Sequence, residues 1–194
     1  MTLKNPTLYL ASRSPRRKEL LAQAGIGFRV YIPKEEEKAA PKTVKKATPK
    51  AIVKRICRAK ADAAARELAE KGVKTALILS ADTLVFLQGK VLGKPRNRAE
   101  AKKMLKKLSG GWHQVCTAVT CAKFSPGLTK QKTIVISSRV KFFPLKRAWI
   151  DWYVATGEPL DKAGAYGAQT FGASFIEKFS GSYTNVVGLP VGET

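Results

Sequence analysis

An α/β fold, a mixed sheet with flanking helices, is the architecture this sequence predicts. Short apolar segments alternate with amphipathic helical patterns over the first half of the chain, which is the signature of strands crossed by helices. Two longer strand-like segments then follow one another across Pro126-Gly127, as in a hairpin. There is no internal repeat, and 194 residues with 44% hydrophobic content suffice for one domain spanning 1–194.

The elements are read in chain order. Leu8-Tyr9-Leu10-Ala11 is a short buried strand. Ser14 is placed to cap a helix, Pro15 sits at its first position, and Gly25 closes it. Residues 28–32 form a second strand. Residues 34–50 are polar and lysine-rich, and are read as an exposed loop. Thr48-Pro49 opens a long helix that ends before Gly72, with Ile52, Val53, Ile56, Ala59, Ala63 and Leu68 on its apolar face. Residues 75–86 form an apolar strand interrupted at Ser80-Ala81-Asp82-Thr83, and Gln88-Gly89 turns the chain into Lys90-Val91-Leu92. Asn97 and Glu100 make a capping-box pattern at the start of another helix. Ala101, Met104, Leu105 and Leu108 line its inner face, while Lys102, Lys103, Lys106 and Lys107 form a solvated outer face. Residues 112–122 and 129–143 are the two long strands, residues 145–156 a helix, and the Gly-rich last forty residues hold short strands near 175–176 and 186–187.

Composition removes several function classes. No apolar run approaches the ~20 residues needed to cross a bilayer, and the first residues lack the pattern of a secretory signal. Cys57, Cys116 and Cys121 are odd in number and form no framework, so a cytoplasmic setting is expected. Cys116 and Cys121 are five apart in a strand and should face opposite ways. The chain carries 36 Lys and Arg against 14 Asp and Glu, a net charge of +22. Such a charge calls for a polyanion, either a free nucleotide or a nucleic acid.

Elimination narrows the chemistry. His113 is the only histidine, so a histidine-cluster zinc site is excluded and any metal must sit on oxygen ligands, which favour Mg²⁺ or Mn²⁺. Of four aspartates, Asp62 and Asp151 fall on solvated helix faces. Asp82 instead follows Leu77-Ile78-Leu79 at a strand end, where a carboxylate needs a cation or hydrogen bonds. The loop Ser12-Arg13-Ser14-Pro15-Arg16-Arg17 leads into a helix N-terminus, where backbone N–H groups and two guanidinium forks favour phosphate. The Gly-x4-Gly-Lys-Ser/Thr pattern of P-loop nucleotidases is absent. Lys94 lies in the rigid Gly93-Lys94-Pro95 loop, and Asp161-Lys162-Ala163-Gly164-Ala165-Tyr166-Gly167 is a polar loop open to close backbone approach.

These residues resemble the Maf family of nucleoside triphosphate pyrophosphatases, nearly end to end. The resemblance is carried by Leu10-Ala11-Ser12-Arg13-Ser14-Pro15-Arg16-Arg17, Lys60, Ala81-Asp82-Thr83, Gly93-Lys94-Pro95, Leu108-Ser109-Gly110 and Gly157-Glu158-Pro159. It continues with Asp161 to Gly167 together with Gln169, then Gly181-Ser182-Tyr183 and Asn185-Val186-Val187-Gly188-Leu189-Pro190. It implies an elongated, two-lobed α/β domain with a central cleft, as in inosine triphosphatases. It also implies cleavage between the α- and β-phosphates with Mg²⁺, Mn²⁺ or Co²⁺, a housekeeping task in the nucleotide pool. Matched motif by motif, it gives phosphate binding to Ser12, Arg16, Arg17, Lys60 and Lys94, with Ser14 in the same loop. It gives metal binding and water activation to Asp82 and Glu37, with Lys94 in the catalytic set, and the nucleotide pocket to Thr83 and Gln169. Thr83 after Asp82, with Ala165-Tyr166-Gly167 before Gln169, resembles the branch acting on dTTP and UTP, so pyrimidine triphosphates, modified ones included, are the expected substrates.

The rival class is a non-catalytic, basic nucleic-acid-binding protein on the same scaffold. Residues 34–60 support it, with ten Lys and Arg against three Glu, although no aromatics interleave for base stacking. The expected partner is a nucleoside triphosphate; a homodimer and nucleic acid are left open, and no membrane is expected.

Overall fold

The computed structural model describes residues 6–34, 48–125 and 128–194. Strand β1 (Leu8–Ala11), helix α1 (Pro15–Gln23), strand β2 (Arg29–Val30) and helix α2 (Pro49–Glu70) come first. Strands β3 (Ala76–Leu87) and β4 (Lys90–Leu92), helix α3 (Arg98–Leu108) and strands β5 (Trp112–Ser125) and β6 (Leu128–Phe142) follow. Helix α4 (Arg147–Ala155), strand β7 (Ile176–Ser180) and the short helix α5 (Tyr183–Val187) complete the order, with 3₁₀ turns between α4 and β7. The strands form one seven-stranded mixed sheet in the order β2-β1-β3-β5-β6-β7, with β4 paired to β3. β1 runs parallel to both β2 and β3, whereas β3–β4 and β6–β7 are antiparallel. The mixed α/β architecture expected from the alternation of elements is therefore the one found.

The caps behave as the sequence predicts, with one variation. Thr48 Oγ1 accepts from the Ala51 N–H at the start of α2, and Gly72 (φ +78°) follows its end in the left-handed region. Asn97 Oδ1 accepts from the Glu100 N–H at 2.9 Å, but the Glu100 carboxylate reaches past Asn97 to accept from the Arg96 N–H at 2.7 Å. Ser14 occupies the cap position of α1 without a side-chain cap bond; its own N–H donates to Ser12 Oγ at 3.2 Å.

Four expectations are corrected. Ser80-Ala81-Asp82-Thr83 does not interrupt a strand: β3 runs through it, and only the parallel pairing with β1 stops, at Ala11↔Ser80. Residues 186–187 belong to α5 rather than a strand, because Ser182 Oγ caps the turn by accepting from the Asn185 N–H. The strand expected over 28–32 shrinks to Arg29–Val30. On α2, Ala59 is exposed, and the buried face instead uses Cys57, Ala61, Ala64 and Ala65 beside Val53, Ile56, Ala63 and Leu68.

The chain packs as two compact units. One comprises Met1–Asp82, Ala118–Val135 and Val191–Thr194, and the other Thr83–Thr117 and Ile136–Pro190. In the first, the small side chains Ala61, Ala64 and Ala65 let α2 approach the sheet, packing with Ala11, Ala76, Ile78 and Ala122. In the second, the core is aromatic. Phe142 meets His113 and Tyr166 edge-to-face at 4.9 and 4.8 Å, and Tyr153 meets Phe175 at 5.0 Å. His113 is buried, with Nε2 2.7 Å from the Tyr166 hydroxyl, and that burial depresses its pKa to about 4. A structural place for the lone histidine is thus what the fold gives. The four lysines of α3 are exposed as expected, and Cys116 is buried while Cys121 is exposed. No helix among the described residues is long and apolar enough to cross a membrane.

Candidate active site

Parallel pairing fixes the first part of the site. Ala11 of β1 stands opposite Ser80 of β3, so Ser12 comes one residue and Asp82 two residues beyond that rung. Ser12 is 1% exposed and its hydroxyl is a hub, accepting from Arg17 Nη1 at 3.0 Å and from the Ser14 N–H. Arg17 is thereby turned inward and buried, while Arg16, the next residue back on α1, is half-buried. A guanidinium withdrawn from water and anchored on a hydroxyl is pre-positioned for an anion, with little side-chain freedom left to lose.

Lys60 of α2 and Asp82 of β3 form the second part. Lys60 Nζ lies 2.6 Å from Asp82 Oδ1. Their meeting depends on a neutral rung next to them. Cys57, one turn earlier on α2, is completely buried. Its Sγ lies 3.3 Å from the carbonyl oxygens of Ser80 and Ala118 and from the Ser80 hydroxyl, and it accepts from Thr120 Oγ1 at 3.3 Å. Ser80 Oγ in turn donates to the Cys57 carbonyl at 2.8 Å. Ser80 and Asp82 are two apart on one strand, so both side chains face the helix. Burial pushes the Cys57 thiol pKa up; hydrogen bonds with Ser80 and Thr120 oppose this, the Asp82 charge adds to it and the Arg17 charge lowers it.

Thr83, Lys94 and Gln169 belong to the second unit. Thr83 Oγ1 is 2.9 Å from Thr117 Oγ1, and Thr117 Oγ1 donates to the Asn185 carbonyl at 2.8 Å. Since that donation uses the one Thr117 hydroxyl proton, Thr83 donates to Thr117. Asn185 Nδ2 donates to the Val115 carbonyl and to Ser138 Oγ, so the whole run is anchored in the core. Lys94 is exposed and Gln169 half-buried. The loop carrying Gln169 is braced by Tyr153, whose hydroxyl donates to Glu158 Oε1 at 2.8 Å and accepts from the Gly167 N–H at 3.1 Å. Glu37 lies outside the described residues.

Among the described residues, no three His, Cys, Asp or Glu side chains come together as a ready-made metal cage. A single carboxylate at the site still suits a Mg²⁺-type ion, which is commonly held by one or two carboxylates together with substrate phosphates and water. Sequence reasoning missed Cys57, Ser80 and Thr120. The available signal was the one-turn spacing from Cys57 to Lys60 and the two-residue spacing from Ser80 to Asp82.

The family model described as Maf-like protein matches residues 7–194. A dTTP/UTP pyrophosphatase of Anaeromyxobacter dehalogenans strain 2CP-1 is 45% identical over 97% of this chain and 91% of its own. The dTTP/UTP pyrophosphatases of Cupriavidus metallidurans and Symbiobacterium thermophilum are each 46% identical over 96% of this chain, covering 92% and 90% of theirs. Among solved structures, the Staphylococcus aureus Ham1 protein is similar over 88% of this chain and 79% of its own, at 17% identity and a TM-score of 0.43. With one family model spanning nearly the whole chain and relatives of this identity over nearly their whole length, the chain belongs to the Maf family.

Proposed function

We propose that this chain is a nucleoside triphosphate pyrophosphatase that hydrolyses dTTP and UTP to the monophosphate and pyrophosphate, in the cytoplasm. The observation that carries the reading is the Lys60–Asp82 pair, one carboxylate and one ammonium withdrawn from water beside the Ser12-anchored Arg17. Membership of the Maf family and the names of the 45–46% identical relatives support the choice of reaction and base.

The triphosphate lies over the start of α1, where Ser12, Ser14, Arg16 and Arg17 receive its oxygens, and Lys60 and Lys94 neutralise it further. Asp82 and Glu37 would hold the divalent cation, Mg²⁺, Mn²⁺ or Co²⁺. When bound, that cation supplies charge neutralisation and a more acidic water. Binding of the phosphates gives Lys60 a new anion to pair with and releases the Asp82 carboxylate from its ammonium. Water attacks the α-phosphorus, the bond to the bridging oxygen breaks, and the cations stabilise the charge on departing pyrophosphate. Thr83 and Gln169 contact the base.

Incubation of the protein with dTTP or UTP and Mg²⁺ or Mn²⁺, followed by phosphorus NMR, tests the proposal. Monophosphate and pyrophosphate are expected. Orthophosphate as the sole phosphate product, or no turnover of any common triphosphate, would overturn it.

A further inference from the structure

The outward side of α2 is lined with cations that the site does not use. Lys50, Lys54, Arg55 and Arg58 are all exposed. None of the four makes an ion pair among the described residues. Lys50, Lys54 and Arg58 recur every fourth residue, so they stand one above another along ~12 Å of helix, with Arg55 flanking them. The next acid on that side, Asp62, already accepts from Gln131 Nε2 at 3.1 Å. Helix stability does not account for the arrangement, because like charges four residues apart repel and α2 has no acid in its first turn.

We propose that this side of α2 docks on the phosphate backbone of double-stranded nucleic acid, without regard to base sequence. The occupant follows from what the side carries. A straight row of point charges matches a linear polyanion, and a span of ~12 Å faces three to four phosphates of one strand at their ~3.4 Å axial rise. α2 contains no aromatic residue, so it offers no platform for unstacked bases of a single strand. No large apolar side chain is exposed on it either, so it offers no anchor for a lipid surface. The net charge of +22 supplies long-range attraction toward such a partner. Lys60 projects from the opposite side of the same helix toward Asp82, so docking leaves the triphosphate chemistry untouched.

The test is fluorescence anisotropy with a short labelled DNA duplex of mixed sequence across a salt series. Two triple variants with equal charge change are compared, Lys54→Glu/Arg55→Glu/Arg58→Glu on α2 and Lys103→Glu/Lys106→Glu/Lys107→Glu on α3. The α2 variant should bind at least about tenfold more weakly near 0.1 M salt and lose about 2 to 3 from the slope of log affinity against log salt, at ~0.9 per lost phosphate contact. The α3 variant should lose clearly less. Circular dichroism confirms that α2 is retained in each variant, and a matching set of glutamines provides the neutral control. Equal losses in both variants would mean diffuse attraction and overturn the proposal. So would an absence of duplex binding by the wild type near 0.1 M salt, or α2-dependent binding to phosphatidylserine vesicles in place of the duplex.

Discussion

Lys60 Nζ stands 2.6 Å from Asp82 Oδ1, with the two side chains only 11% and 16% exposed. A pair so far out of water is held as much by the cost of leaving either charge alone as by its own attraction. It also means that the carboxylate is occupied until a competing anion draws the ammonium away.

Asp82→Asn should therefore reduce turnover of dTTP by about 100-fold or more, as expected for loss of a group acting on transition-state charge. Pyrophosphate release measured under saturating substrate checks this. Full retention of the rate would remove Asp82 from the mechanism.

Chelation of divalent cations should abolish turnover, and added Mg²⁺ or Mn²⁺ should restore it. The melting temperature should barely move, because no cluster of three potential ligands braces the fold among the described residues. Scanning fluorimetry and activity on the same sample give both readings.

Ser80→Ala should loosen α2 from β3. It removes the 2.8 Å bond to the Cys57 carbonyl and one partner of the buried thiol, a loss of about 1–3 kcal/mol. Urea denaturation measures the stability, and the KM for dTTP should rise as Lys60 loses its fixed distance from Asp82.

The His113 imidazole, buried against Phe142 and Tyr166, has a pKa near 4, below the ordinary value of about 6.5. The unfolded chain binds the proton first, so this contribution is complete above pH ~6.5 and is lost as the pH falls toward 4. It is on the order of 3 kcal/mol across that window. Melting temperature against pH should show the slope in the wild type and a shallower one in His113→Gln.

Gly172→Ala tests the loop that carries Gln169. A Cβ at residue 172 would stand 2.6 Å from the Gly167 carbonyl oxygen and 2.7 Å from the Tyr153 hydroxyl, so backbone or brace must shift. A loss of about 2–3 kcal/mol is expected, lowering the melting temperature by roughly 4–12 °C. A rise in KM for dTTP should accompany it.

Taken alone, the sequence determined the order of elements, the caps at Thr48 and Asn97, the exposed lysines of α3 and the family, because these depend on local spacing and on motifs read in chain order. The tertiary structure decided which side chains meet. That Lys60 closes on Asp82 and that Cys57 and Ser80 lock α2 to β3 both require segments brought together by the packing of α2 on the sheet. Periodicity assigns a residue to a face but does not name its partner, and it misread Ala59 and residues 186–187 where helix packing and a serine cap prevailed. Hydrogen bonds between residues twenty or more positions apart exist only once the chain has folded back, so no local pattern could have announced them.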